Sequence, residues 1–462
     1  MSGMRFISTR GQAPADSFED VLLTGLAPDG GLYMPEVWPR IDVSKADGKS
    51  YAAAAFAVLK QFSGDSFSDA ELKADIDAAY SCFDGLGIAP LSEIGDGLYL
   101  LELFHGPTLA FKDIAMQVLG RLFARALAKR GGQATVVAAT SGDTGSAAIA
   151  ALGGLPNIGV FVVHPHGRVS EVQRRQMTTA DFPNVHNIAL EGSFDDAQTI
   201  VKELFADTAF ANSVHLTAVN SINFVRIAAQ CVYYFTATSQ LGMPATYVVP
   251  TGNFGDVFAG EAAMRMGLPI NKLVVATNAN DIMARALNEG VYAAGDAQQT
   301  LSPSMDIQVA SNFERALFEA SGRDADWTRD TMAAFARDRR IVLPANIHAA
   351  LAERYAAFRT SDEETLATIR RVHAETGRLI DPHTAVAVAA AGQVRGIAEG
   401  PVVVLSTAHP AKFPDAIQQA TGQIPALPPR LRDLYQKPEK MTVLAPELGL
   451  VRAHIAARVP VP

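Results

Sequence analysis

Short apolar runs, rich in β-branched residues or leucine, alternate with helical periodicity through most of the chain after residue 90. The runs span residues 98–103, 134–139, 158–163, 246–249, 273–277 and 402–405, with helical stretches such as 114–128 and 257–266 between them. A strand with one wet face alternates apolar and polar residues. These runs are nearly continuous, so both faces must be covered. Strand–helix alternation of this kind predicts an α/β fold on mostly parallel sheets.

The flanking regions read differently. Helical patterns occupy 18–23, 51–62 and 69–82, the first two separated by the turn Pro28-Asp29-Gly30-Gly31, and residues 85–90 form a boundary. From about 305 to 376 the pattern is mainly helical and more charged, which reads as a helical insertion. The proline-rich tail after Ile424 is expected to wrap the surface. With 462 residues, the length corresponds to about three structural units.

Composition removes several function classes. Lys and Arg total 39 against 48 Asp and Glu, so 39 − 48 gives −9, which disfavours nucleic-acid binding. Cys82 and Cys231 offer neither a disulfide framework nor a cysteine-rich zinc site, and no H-E-x-x-H occurs, so no metal is expected. The N-terminal MSGMRFISTRGQ lacks the apolar core of a secretory signal. The apolar stretch 147–163 is broken by Gly153, Gly154, Pro156 and Asn157 and does not read as a membrane span. The expectation is a cytoplasmic protein with no membrane or nucleic-acid partner.

Two strands run directly into glycine-containing turns that open helices. One reads Thr140-Ser141-Gly142-Asp143-Thr144-Gly145 and the other Thr251-Gly252-Asn253-Phe254-Gly255-Asp256. Helix starts present unpaired N–H groups and a positive dipole end, and glycine admits an anion closely. Ordinary helix capping explains either turn equally well. Neither is G-x-G-x-x-G, and no G-x-x-x-x-G-K-[ST] is present, so dinucleotide and Walker-type sites lack motif support. Lys112, in His105-Gly-Pro-Thr-Leu-Ala-Phe-Lys112-Asp, follows an apolar triplet. Burial would favour its neutral amine, the form Schiff-base chemistry needs.

Taken in order, these three segments resemble the pyridoxal-phosphate enzymes of the tryptophan-synthase-β fold type (fold type II), and more specifically the threonine synthase family of the long bacterial and fungal type. Further matches are Gly30-Gly-Leu-Tyr33, Asn220-Ser-Ile-Asn-Phe-Val-Arg226, Ser302-Pro-Ser-Met-Asp306, Ser311-Asn-Phe-Glu-Arg315, Asp381-Pro-His-Thr384 and Thr407-Ala-His-Pro-Ala-Lys-Phe413. The resemblance runs from about residue 5 to about residue 430.

It implies two open parallel-rich sheet domains, an N-terminal mainly helical domain and a helical insertion. The expected division is 1–92, then 93–120 with 221–462 for the large domain, and 121–220 for a small mobile one. It also implies O-phospho-L-homoserine as substrate, L-threonine and phosphate as products, and a lyase of threonine biosynthesis.

The implied site roles are specific. Lys112 joins the cofactor as a Schiff base and shuttles protons, and Asp143 faces the cofactor's 3′-oxygen. Gly252, Asn253, Phe254, Gly255 and Asp256 hold its phosphate through backbone N–H groups and Asn253, and Thr407 meets the pyridine nitrogen, with Ser406 as competitor. Thr140, Ser141 and Thr144 hold the substrate carboxylate. Asn220, Ser221 and Arg226 hold its phosphate. Asp381 to Thr384 read as a structural helix start, while His409, Lys412 and the choice between monomer and homodimer stay open.

Overall fold

The computed structural model describes residues 4–43, 50–83, 85, 87–394, 396 and 398–459. Its larger sheet has six strands in the order Tyr355–Arg359, Ile270–Thr277, Ala245–Pro250, Val402–Ser406, Leu98–Glu102 and Leu91–Gly95. Every neighbouring pair is parallel except the last, which is antiparallel. Successive residues of a strand point to opposite faces, and here the two faces feed two cores. Tyr247, Val249, Leu273, Val275, Val403 and Leu405 pack with the helices Phe224–Leu241 and Gly255–Arg265. Val248, Val274, Val402 and Val404 pack instead with the helix Pro382–Val394. Continuous apolar runs are the sequence signature of that double burial.

A second sheet is wholly parallel, in the order Thr442–Leu444, Val185–Leu190, Ile158–Pro165, Ala134–Ala139 and Leu216–Thr217. Its strands are also buried on two sides. Val136, Val160 and Val162 face the large core, whereas Val137, Phe161 and Val163 face a smaller one with the helices Phe194–Ala206 and Leu448–Ala456. The helix Lys112–Arg130 packs on Asp143–Leu152 so closely that a Cβ on Gly120 would lie 2.7 Å from the Ala151 carbonyl oxygen. Glycine there is a condition of the crossing.

The N-terminal region carries three helices, Phe18–Thr24, Tyr51–Ser63 and Asp69–Tyr80. Ser17 with Asp20 and Ser68 with Glu71 form capping boxes at two of them. The region also contains a three-stranded antiparallel sheet of Arg5–Ser8, Asp16–Ser17 and Tyr33–Pro35, so it is not helical alone.

Several expected boundaries need correction. Strand Leu91–Gly95 pairs with Leu98–Glu102, so a division at 92 cuts the large sheet. A division at 120 cuts the unbroken helix Lys112–Arg130. Within the mainly helical run 305–376, Tyr355–Arg359 is an outer strand of the large sheet. The tail does more than wrap the surface, and 221–462 does not belong to the large sheet throughout. Thr442–Leu444 extends the small sheet by pairing with Ile188, Ala189 and Leu190, and the helix Leu448–Ala456 seals that sheet's outer core. Short edge strands depend on pairing partners distant in sequence, and local periodicity does not register them. Among the described residues no helix is long and apolar enough to cross a membrane.

Candidate active site

The motif-bearing loops leave the carboxyl ends of parallel strands: residues 140–145 after Ala134–Ala139, 251–255 after Ala245–Pro250, 407–413 after Val402–Ser406, and 103–111 after Leu98–Glu102. That edge of an open α/β sheet is where ligands bind. The loop preceding Lys112 is stitched to the 406–409 segment. Leu103 N–H donates to the Ser406 carbonyl at 2.9 Å, Phe111 N–H to Thr407 at 2.8 Å, and His409 N–H to Leu109 at 3.0 Å. Within it, Asp113 accepts from the Thr108 N–H and hydroxyl at 2.8 and 2.6 Å. A Cβ on Gly106 would stand 2.5 Å from Asp113. The residues around Lys112 therefore serve to fix its place at the helix start.

Lys112 Nζ lies 3.4 Å from both Asp143 Oδ2 and Ser304 Oγ, with its side chain 12% exposed. Burial pushes its pKa below the usual lysine value. Asp143 opposes that shift, while Lys412 and Arg226 reinforce it. Asp143 is buried and heavily engaged. It receives Lys412 Nζ at 2.7 Å, Gln173 Nε2 at 2.9 Å and Ser304 Oγ at 3.1 Å. Burial alone would raise its carboxyl pKa, but Lys412 and Lys112 hold it well below the usual carboxylate range.

Thr140 does not offer its oxygen outward. It is 2% exposed, and that oxygen accepts from the Gly142 and Gly145 N–H groups at 2.9 Å each. That oxygen shapes the turn, while the hydroxyl's own proton has no acceptor among the described residues. Ser141 and Thr144 stay partly exposed.

The turn after Ala245–Pro250 is built otherwise. Phe254 takes a left-handed conformation (φ 63°) at the start of the helix Gly255–Arg265, which has no side-chain cap. Its first N–H groups lack intrahelical acceptors by geometry. A Cβ on Gly252 would meet the Ser304 carbonyl oxygen at 2.6 Å, so only glycine fits beside the same serine that approaches Lys112. The Asn253 carbonyl accepts from Asn312 N–H at 3.0 Å and Nδ2 at 3.1 Å, and its exposed side chain makes no hydrogen bond among the described residues.

Two residues of this turn point their side chains away from its mouth, which leaves their backbone N–H groups as the part that could meet a phosphate. The Phe254 ring is buried against Phe313 and Tyr355. The Asp256 carboxyl faces Tyr233 and Tyr234, where burial pushes its pKa up to about 7 against their hydrogen bonds. A carboxylate beside a phosphate would repel it. Turned into the core, Asp256 leaves only its backbone at the mouth of the turn.

Arg226, on the helix Phe224–Leu241, is 3% exposed. Its Nη1 reaches the Val219 carbonyl at 3.4 Å, its Nε has no partner, and burial pushes its pKa down to about 10. Among the described residues it has no carboxylate partner. A buried guanidinium left this way costs free energy unless an anion completes it. Asn220 is exposed and its side chain accepts from Ile222 N–H at 3.3 Å, while the Ser221 carbonyl accepts from Asn312 Nδ2 at 3.2 Å. Asn312 thus ties this segment to Asn253.

Ser406 and Thr407 are no longer equivalent. Ser406 Oγ lies 3.1 Å from Thr384 Oγ1, which itself donates to Asp381. The Thr407 hydroxyl is free of such a bond among the described residues. His383, read from sequence as structural, accepts from Ser304 N–H at 3.2 Å and pairs with Asp381 at 2.7 Å, so it supports the serine beside Lys112. Sequence reasoning missed Gln173 and Ser304 as individual contacts and left Lys412 unassigned. Ser304 and Lys412 at least stood inside matched motifs; Gln173 had no local signal.

A buried amine with a lowered pKa, an uncapped helix start beside it and an unpaired guanidinium fit pyridoxal phosphate with an anionic substrate. The comparisons with known proteins agree. Residues 86–359 match the family model of pyridoxal-phosphate dependent enzymes, 5–80 match the threonine synthase N terminus, and 384–455 match the threonine synthase C-terminal model. The chain is 49% identical to threonine synthase of Pseudomonas aeruginosa, covering 98% of each sequence. It superposes on PLP-bound threonine synthase of Brucella melitensis with a TM-score of 0.96 at 48% identity, covering 99% of this chain and 100% of that one. The yeast threonine synthase structure gives 0.93 at 37% identity over 98% of each chain. On this sequence, fold and site, the chain belongs to the threonine synthase family of fold-type-II pyridoxal-phosphate enzymes.

Proposed function

We propose that the protein converts O-phospho-L-homoserine and water to L-threonine and phosphate. The observation that carries this reading is the buried Arg226 guanidinium, which has no carboxylate partner among the described residues and lies near enough for its charge to lower the Lys112 pKa. An amine site alone serves many amino-acid reactions. A desolvated guanidinium selects an anionic side chain, and phosphate matches its donor geometry.

Bound pyridoxal phosphate supplies the electron sink that acidifies the substrate's Cα–H. Lys112, whose pKa burial lowers, takes that proton. Removal of a Cβ proton then expels phosphate from Cγ, where Arg226, with Asn220 and Ser221 at the loop before its helix, receives it. Cγ gains a proton, water adds to Cβ as a hydroxyl while its second proton passes to the released phosphate, and Cα is reprotonated. Atoms balance as substrate plus water giving threonine plus phosphate.

The remaining residues orient. The N–H groups of residues 252–257 suit the cofactor phosphate. Ser141, Thr144 and neighbouring N–H groups suit the substrate carboxylate. The unengaged Thr407 hydroxyl suits the pyridine nitrogen, since Ser406 is spent on Thr384. The small parallel sheet carries Asp143 and Gln173, so its movement against the large sheet would open and close the site. The direct test is incubation of the holoprotein with O-phosphohomoserine. Equimolar threonine and phosphate are expected; 2-ketobutyrate and ammonia, or intact substrate, would refute the reading.

A further inference from the structure

Lys412 is fully buried, yet no part of the reaction above uses it. Its Nζ makes two short contacts, to Asp143 Oδ1 at 2.7 Å and to the Thr108 carbonyl at 2.8 Å. Lys112 makes only a long contact to the other oxygen of the same carboxylate, 3.4 Å. One carboxylate thus stands between two lysines and is bound tightly by the wrong one for Schiff-base chemistry. The placement is fixed from both sides. Lys412 lies in a short 3-10 turn, Pro410–Lys412, capped by His409, whose ring accepts from Ala411 N–H at 3.1 Å. Its own carbonyl accepts from Ser170 Oγ at 3.1 Å, at the cap of the helix Glu171–Thr178. Gln173 from that helix reaches the same Asp143 oxygen as Lys412.

We propose that Lys412 is a positioning residue that claims the Asp143 carboxylate and thereby leaves the Lys112 amine free to react. Were Lys412 neutral, Asp143 would have one cationic partner, Lys112, and would stabilise its ammonium form. With Lys412 present, the Asp143–Lys412 pair is neutral as a unit, and the attraction on Lys112 is largely cancelled. The charged and titratable groups facing Lys412 and Asp143 are Lys112, Arg226, Asp113, His383 and His409. Lys412 and Arg226 depress the Lys112 pKa, and Asp143 raises it. Lys412 also draws down Asp143, and it acts on Asp113 in the same sense. The pairing has a second consequence. A bare carboxylate at the position of Asp143 would repel a phenolate-like 3′-oxygen, whereas a neutral pair does not.

The inference rests on Lys112 as the amine that joins the cofactor, and that reading is tested separately by Lys112→Ala. A visible cofactor band surviving in that variant would sink the reading of Lys112, whatever Lys412 does. For Lys412 itself, the full-length protein freed of cofactor is mixed with pyridoxal phosphate across a pH series. The rate at which the visible band grows is followed, and its pH midpoint reports the free amine. Lys412→Met should move the midpoint upward by about one pH unit or more, and Lys412→Arg should return it most of the way.

Asp143→Asn should move it downward, because Lys412 and Arg226 then act unopposed. The double variant Lys412→Met with Asp143→Asn should fall near the parent. Circular dichroism identifies any variant that fails to fold; the Asp143→Asn arm then still decides. An unchanged midpoint in a folded Lys412→Met protein, or an unchanged or raised one in Asp143→Asn, would overturn the proposal.

Discussion

The turns at 140–145 and 252–256 look alike as sequence: each follows a buried parallel strand, contains glycine and opens a helix. Their interiors are opposite. In the first, Thr140 turns inward and ties up two N–H groups, while Asp143 is locked between Lys412, Gln173, Ser304 and Lys112. In the second, the acidic residue is turned away into a tyrosine pair; neither helix has a side-chain cap at its N-cap residue, and the Thr140 oxygen that binds two N–H groups belongs to the first turn. One turn spends two of its N–H donors on its own threonine and presents a carboxylate held by side chains from elsewhere in the fold; the other turns its carboxylate away. The same dipole and the same glycines serve different ends, and the direction of the aspartate decides which.

The largest expected effect breaks the function that both turns serve. Lys112→Ala should remove the visible cofactor band and lower turnover by about 10³-fold or more. Arg226→Ala follows, with kcat/KM reduced by roughly 10²- to 10³-fold, mostly in KM, because a buried ionic contact to the substrate phosphate is lost. Steady-state kinetics check it, and an unchanged KM would remove Arg226 from the phosphate site.

Smaller effects sharpen the contrast between the turns. Thr140→Val should cost about 1–2 kcal/mol of stability through the two lost N–H acceptors. It should leave affinity for the cofactor phosphate near the parent, as read by denaturant titration and cofactor equilibrium binding. Asp256 tests the second turn through pH. Its folded pKa of about 7 lies above the ordinary carboxyl value. Its contribution to stability is therefore complete below about pH 4 and is lost as pH rises through 7. Asp256→Asn should abolish that slope and stabilise the protein by ~2 kcal/mol at pH 8. Equal urea midpoint shifts at pH 5 and pH 8 would contradict the assignment.

The strands with double-sided burial were legible because their apolar runs record it locally; residues 134–139 coincide with the strand Ala134–Ala139. The outer strands were not. Tyr355–Arg359 lies between two helices and contains two alanines, and Thr442–Leu444 is three residues long in a proline-rich tail. Each exists because a distant strand offers its edge. The site divides along the same line. Lys112, Arg226 and both turns carried local or motif signals. The inward turn of Thr140, the burial of Asp256 and the hold of Lys412 on Asp143 depend on partners across the fold, which no local pattern contains.

The contrast between the turns is tested most directly by the ratio of affinities for pyridoxal phosphate and for pyridoxal, which lacks the phosphate. It is measured on the parent, Gly252→Ala and Thr140→Val. A Cβ at Gly252 would press the Ser304 carbonyl oxygen at 2.6 Å and so displace the turn that is meant to receive phosphate. The ratio should collapse towards unity in Gly252→Ala and stay at the parental value in Thr140→Val. A parental ratio in Gly252→Ala, or a collapse in Thr140→Val, would contradict it.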